Sequence, residues 1–138
     1  MLNIDTIAVA PRGAKVAIIG RGTTKFDSVI ENIAKKAGRK IETSTESNDF
    51  IRRQDGWALA QKNVPALMVG GSFADAALLE AFLSDDYHGP DDELTDATEL
   101  GGAAEDAMLH VALGKHFANT RKQPAAKPAD KGNNKTGG

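Results

Sequence analysis

Two side chains are placed where they could hold a metal: a histidine in a turn-rich loop and a carboxylate in an apolar strand. His88 stands in Tyr87-His88-Gly89-Pro90-Asp91-Asp92, directly after a run of acids. A histidine in a Gly/Pro loop is exposed enough to reach an ion. Asp92 is near enough to orient its imidazole, because a metal-bound histidine usually passes its second N–H to a carboxylate or carbonyl. On its own, a histidine in such a loop is more often an ordinary surface residue. Asp5 lies in Asn3-Ile4-Asp5-Thr6-Ile7, where a buried carboxylate is costly unless it is paired, hydrogen-bonded or metal-bound. In a central strand it would sit near the carboxyl end, where open α/β sheets carry their sites; an arginine partner would satisfy it as well. Asp55, at the start of the helix predicted after Arg52-Arg53-Gln54, has N-capping as its plain role, and the single Trp57 reads as core packing.

The remaining candidates carry less. Cysteine is absent, so a transition metal would have to be held by His, Asp and Glu. His110 and His116 fall six apart on the last predicted helix, on different faces, and read as packing or surface residues. Gly20-Arg21-Gly22-Thr23-Thr24 follows a strand as a phosphate loop would but lacks the rest of that pattern, which leaves a tight turn and a helix cap. Between Ser72 and Gly114 there are eleven Asp/Glu and no Lys or Arg. Most of these form a solvated acidic face, while those flanking His88 would favour a cation or a substrate amino group. A net charge of −2 argues against nucleic-acid or membrane-surface partners. No apolar run approaches the roughly 20 residues of a membrane span, and the first residues lack the basic start of an export signal.

The elements that must position these groups alternate between strand and helix, which predicts an α/β fold with a mixed, partly parallel sheet. Leu2 to Ala10 reads as a buried strand and Lys15 to Ile19 as a second. A helix capped by Thr23 or Thr24 runs to about Ala37, with Phe26, Val29, Ile30, Ile33 and Ala34 on one face and Gly38 as its stop. Lys40 to Thr43 reads as a brief strand, Thr43 to Asp49 as a loop and Gln54 to Asn63 as a short helix. Ala66 to Val69 is a continuous apolar strand of the parallel-sheet type, and Ala74 to Leu83 is helical. Ser84 to Asp96 is a polar loop. The last helix, about Thr98 to Asn119, is expected to bury Leu100, Ala104, Ala107, Met108, Val111 and Ala112. One domain over 1–120 is followed by a tail, 121–138, with no apolar residue larger than alanine.

Taken in order, NIDTIA, RRQDGWALAQKNVPALMVGG, DDYHGPDDE and a long helix ending LHVALGKHFANT resemble the second half of the co-catalytic zinc exopeptidases over roughly residues 1–120. That family includes aminopeptidases and glutamate carboxypeptidases, with glutaminyl cyclase as a relative. Its pattern has an N-L-D-M-[IV]-G strand, an S-D-[HN]-x-x-F segment continuing to G-[IV]-P-[AS], and a Y-H-[TS]-x-x-D loop. The resemblance implies a three-layer phosphorylase/hydrolase-like fold, of which this would be the C-terminal portion. It makes Asp5 and His88 ligands, one for each of two zinc ions. It places Asp55, Tyr87 and Asp92 beside the metals or on the substrate side. The activity it implies is hydrolysis of a peptide's terminal bond by a metal-activated water. Gln54 stands for the pattern's Ser, Gly56 for its His or Asn, Gly89 for its Thr or Ser and Glu93 for its Thr. The family's H-x-D pair and its Glu-Glu pair, which includes the general base, have no counterpart, so no catalytic residue is assigned here. The expectation is weak zinc binding, little activity alone, and self-association or pairing with a missing N-terminal half. A non-catalytic, peptidase-like binding domain is the alternative. Relatives are often exported, which leaves localisation open.

Overall fold

The computed structural model describes residues 1–85, 87–90 and 92–119. The tail 121–138, Asp86 and Asp91 lie outside the described residues.

Three short strands form one mixed sheet in the order β1-β3-β2. β1 (Leu2–Asn3) runs parallel to β3 (Leu67–Gly70), and β2 (Ala17–Ile19) runs antiparallel to it. Val16 bridges in parallel to Ile41, the trace of the strand expected at 40–43. Strand alternation divides the core. Val16, Ile18, Leu67 and Val69 point to one side, against Ile30 and Ala34 of α1 (Asp27–Lys36) and Leu109 and Leu113 of α4 (Gly101–Phe117). Ala17, Ile19 and Met68 point to the other, against Phe50, Ile51, Phe73 and Ala74. Leu109 and Leu113 are fully buried, each stabilising by about 1.5–3 kcal/mol through transfer from water. The mixed α/β class is therefore as expected.

Local chemistry explains the element ends. α1 stops where Gly38 takes a left-handed φ of 76°, and the N–H groups of Gly38 and Arg39 return to Lys35 and Ala34. α2 (Gly56–Ala60) unwinds through Asn63, at φ 60°, before Pro65. α3 (Ala76–Ser84) is capped by Asp75, whose Oδ1 accepts from the Leu78 N–H at 3.0 Å. Two 3₁₀ turns, Glu46–Phe50 and Ser72–Ala74, lie within or after stretches expected to be loop or strand end. Among the described residues, no helix is long and apolar enough to cross a membrane.

α1 begins at Asp27, after Phe26 and without a side-chain cap, so neither Thr23 nor Thr24 caps it. Two further expectations fail. The strand predicted over Leu2 to Ala10 ends at Asn3; Ile4 and Asp5 are exposed and Thr6 adopts a positive φ of 52°. β1 pairs only with Leu67 and Met68 although β3 runs on to Gly70, so it is β1 that leaves the sheet, its backbone turning at Thr6. The second failure is the face of α4. Gly101, Gly102, Ala103, Asp106, Leu109 and Leu113 are buried, while Leu100, Met108 and Val111 are 45%, 69% and 50% exposed.

Two features fix that rotation. A Cβ on Gly102 would come within 1.9 Å of the Ala10 carbonyl oxygen, so only glycine lets the helix start lie on this backbone. One turn on, Asp106 is wholly buried. Its Oδ2 accepts from the Gly71 N–H at 2.6 Å, and its Oδ1 lies 2.8 Å from Nη1 of buried Arg39, a close ion pair outside ideal hydrogen-bond geometry. Arg39 Nη2 also donates to the Ala14 carbonyl at 3.3 Å.

Removing one partner of a buried pair strands the other charge. Asp106→Ala should lower the unfolding free energy by about 3–5 kcal/mol in urea titration; a loss under about 1 kcal/mol would show that the pair does not hold the helix. At the surface, Glu42 accepts from Lys15 Nζ at 2.8 Å and from the Ser44 and Thr43 N–H groups. These interactions, the lysine's foremost, hold its carboxyl down to about 2 from the usual 4.5. A carboxylate depressed in the folded state stabilises fully above its unfolded pKa, and that contribution fades as pH falls from about 4.5 toward 2. Glu42→Gln should thus melt below the parent at pH 7 and converge with it near pH 2, by calorimetry; a gap independent of pH would contradict this.

Candidate functional site

A cleft opens where β1 and β3 both end in their carboxyl direction. Asp5 and Thr6 enter from the turn after β1, Met68 and Phe73 from β3 and its turn, Phe50 from the 3₁₀ segment and Arg53 from the turn after it, Leu79 and Leu83 from α3, and Tyr87 from the loop beyond. It is small, about 50 Å³. The parallel β1–β3 pair is what brings residues 5 and 87 together, since it aligns two strand ends that lie 65 residues apart.

Asp5 is solvent-exposed, and among the described residues its side chain has one partner, the Thr6 hydroxyl, which donates to Oδ1 at 3.2 Å. A carboxylate in water needs no arginine or metal to compensate burial, so the cost argued from the sequence does not arise. Arg53 lies in the same cleft with its guanidinium 5.4 Å over the Phe50 ring.

The Tyr87-His88 corner is tightly built. The Tyr87 N–H returns to the Phe82 carbonyl at 3.0 Å, and the Tyr87 ring rests against Phe82 with centroids 5.6 Å apart. The His88 imidazole stacks on Tyr87 at 3.9 Å and 21°. His88 adopts a positive φ of 59°, a conformation that costs a non-glycine residue roughly 1 kcal/mol. Asp92 holds it there: its Oδ2 accepts from the His88 backbone N–H at 3.0 Å, while its own N–H donates to the Gly89 carbonyl at 3.2 Å. Asp92 therefore braces the loop's backbone, where the sequence suggested a grip on the ring.

Asp55 is not brought to the cleft. It precedes α2 as an exposed residue whose side chain makes no capping bond; the neighbouring buried Gln54 instead accepts from the Gly56 N–H at 3.1 Å. Trp57 is half-buried beneath Arg52, 5.5 Å from its guanidinium, and lines a surface groove; it is not part of the central core. His110 bridges the Asp106 and Asn3 carbonyls at 2.8 and 3.3 Å, a packing role. Arg53 is the cleft residue that motif spacing missed. Its signal was present in the doubled arginine before Gln54, but nothing in the chain showed which of the two would turn inward.

The donors can be set against a zinc site. Among the described residues, no three His, Asp or Glu side chains gather as a group able to hold a metal. The cleft offers a carboxylate from Asp5, while the His88 imidazole does not line it and stacks on Tyr87; catalytic zinc takes three protein ligands and a water. Among the described residues, the donors brought together fall short of a metal site. No model of a known protein family matches the chain, and no curated protein and no solved structure matches it.

The bracing by Asp92 is checkable. Asp92→Ala should speed hydrogen exchange at the His88 amide by more than about tenfold, with α4 amides unchanged. An unaltered His88 amide would remove Asp92 from that role.

Proposed function

We propose that this chain carries part of a co-catalytic zinc exopeptidase-type site. Asp5 and His88 would each donate to a different metal, with Tyr87 and Asp92 building the His88 side. The observation that supports the reading is that Asp5 and Tyr87, far apart in sequence, line one cleft at the carboxyl edge of a parallel strand pair, with the His88 ring stacked on Tyr87. The substrate class is a peptide terminus, and the missing donors would come from a second polypeptide segment. Two donors shared between two metals bind neither tightly, so the chain by itself is expected to hydrolyse little or nothing. Asp55 has no part in the arrangement described. The second reading, a peptidase-like domain used for binding, is favoured by the apolar outer face of α4, where Met108 is 69% exposed.

Zinc titration followed by NMR separates these. The reading expects weak, fast-exchanging binding that shifts the Asp5 carboxyl and the His88 imidazole, with the His88 response lost in His88→Ala and the Asp5 response in Asp5→Ala. Shifts confined to His110 and His116, or no shift at all, would end the zinc assignment. Tight stoichiometric binding by calorimetry would contradict the incomplete donor set.

A further inference from the structure

The cleft at the carboxyl edge of β1 and β3 holds two charges of opposite sign that do not meet. Asp5 and Arg53 are the charged residues of its described lining, and the rest, Thr6 apart, is apolar or aromatic. Among the described residues no ion pair joins the two, and neither pairs with another charged side chain. Each is occupied locally instead. The Asp5 carboxylate accepts from the Thr6 hydroxyl at 3.2 Å, at the turn where Thr6 takes its positive φ. The Arg53 backbone N–H returns to the Phe50 carbonyl at 2.9 Å, and its guanidinium lies over the Phe50 ring. Both residues are exposed, so both charges are open to a ligand from solvent. Apolar walls with a few convergent polar groups are the pattern of a small-molecule site.

We propose that this cleft binds a small free α-amino acid, its ammonium on Asp5 and its carboxylate on Arg53, with no metal needed. A lone cation on Asp5 would face the guanidinium, and a lone anion on Arg53 would face the carboxylate. A molecule carrying both signs gains at each end. The guanidinium takes a carboxylate through two parallel N–H donors, and the Asp5 carboxylate accepts a charge-assisted bond from an ammonium. Low-dielectric walls strengthen both attractions. Those walls offer a side chain no further polar partner, and a cleft of about 50 Å³ leaves no room for a long one. Alanine suits it. This inference goes beyond the zinc reading, and Asp5 serves one cation at a time, so zinc and the amino acid compete for it.

Titration with L-alanine in the presence of a zinc chelator, followed by NMR, tests it. The Thr6 and Tyr87 amide signals should shift saturably while those of α4 stay in place. N-acetyl-L-alanine has no ammonium and L-alaninamide no carboxylate, so each should bind more than about tenfold more weakly. Arg53→Gln should abolish the preference over L-alaninamide, and Asp5→Asn the preference over N-acetyl-L-alanine. Both positions are exposed, so the far-ultraviolet circular dichroism should stay that of the parent. The absence of a saturable shift, equal binding of the three ligands, or a preference that survives its substitution would each overturn the proposal. Binding seen only once zinc replaces the chelator would overturn it too, and would leave the zinc reading standing. Alanine binding beside a failed zinc titration would support the amino-acid site and end the zinc reading alone.

Discussion

The buried pairing of Arg39 with Asp106, completed by the Gly71 N–H, is the interaction on which the arrangement depends. Arg39 comes directly after the glycine that ends α1, Gly71 directly follows β3, and Asp106 lies one turn into α4. One carboxylate thus ties together the three elements that enclose the larger half of the core. A buried charge is a poor source of net stability but a strict one, because any other rotation of α4 would leave it unpaired in an apolar setting. The close approach of Gly102 to the Ala10 carbonyl works in the same sense at the helix start. Between them they decide which of the helix's two apolar sides is covered.

That decision is what periodicity could not supply. β3 was legible because Ala66-Leu67-Met68-Val69 is a continuous apolar run, and the end of α1 was legible because only Gly38 suits the left-handed turn there. The stripe of Leu100, Ala104, Met108 and Val111 has proper helical spacing too. It lost to a face containing an aspartate, since a polar residue with its partners in place can be buried where the sequence shows only its charge. Strand β1 was overextended for a related reason. Its apolar content says that it can be buried, while its length is set by the turn its own backbone makes at Thr6, short of the Gly70 end of β3.

The candidate site divides along the same line. The Tyr87-His88 corner could be picked out from residue types, and Asp5 from its apolar neighbours. Their meeting at one cleft depends on the parallel register of β1 and β3, a long-range property. The details moved. Asp5 proves exposed, Asp92 holds a backbone N–H, Asp55 stays outside, and Arg53 comes in. The shift of Asp92 follows from where the His88 N–H lies, and those of Asp5, Asp55 and Arg53 from where the strand end and turns leave each side chain; spacing along the chain encodes neither.

The central claim is that residues 5–6 and 87–88 face each other across a cleft at the sheet's carboxyl edge. A nitroxide attached through Thr6→Cys, the sole cysteine in such a chain, measures it through paramagnetic broadening of amide signals. The account predicts strong loss of the Tyr87 and His88 signals, with Lys115 near the far end of α4 little affected. Sharp Tyr87 and His88 signals beside broadened α4 ones would contradict it.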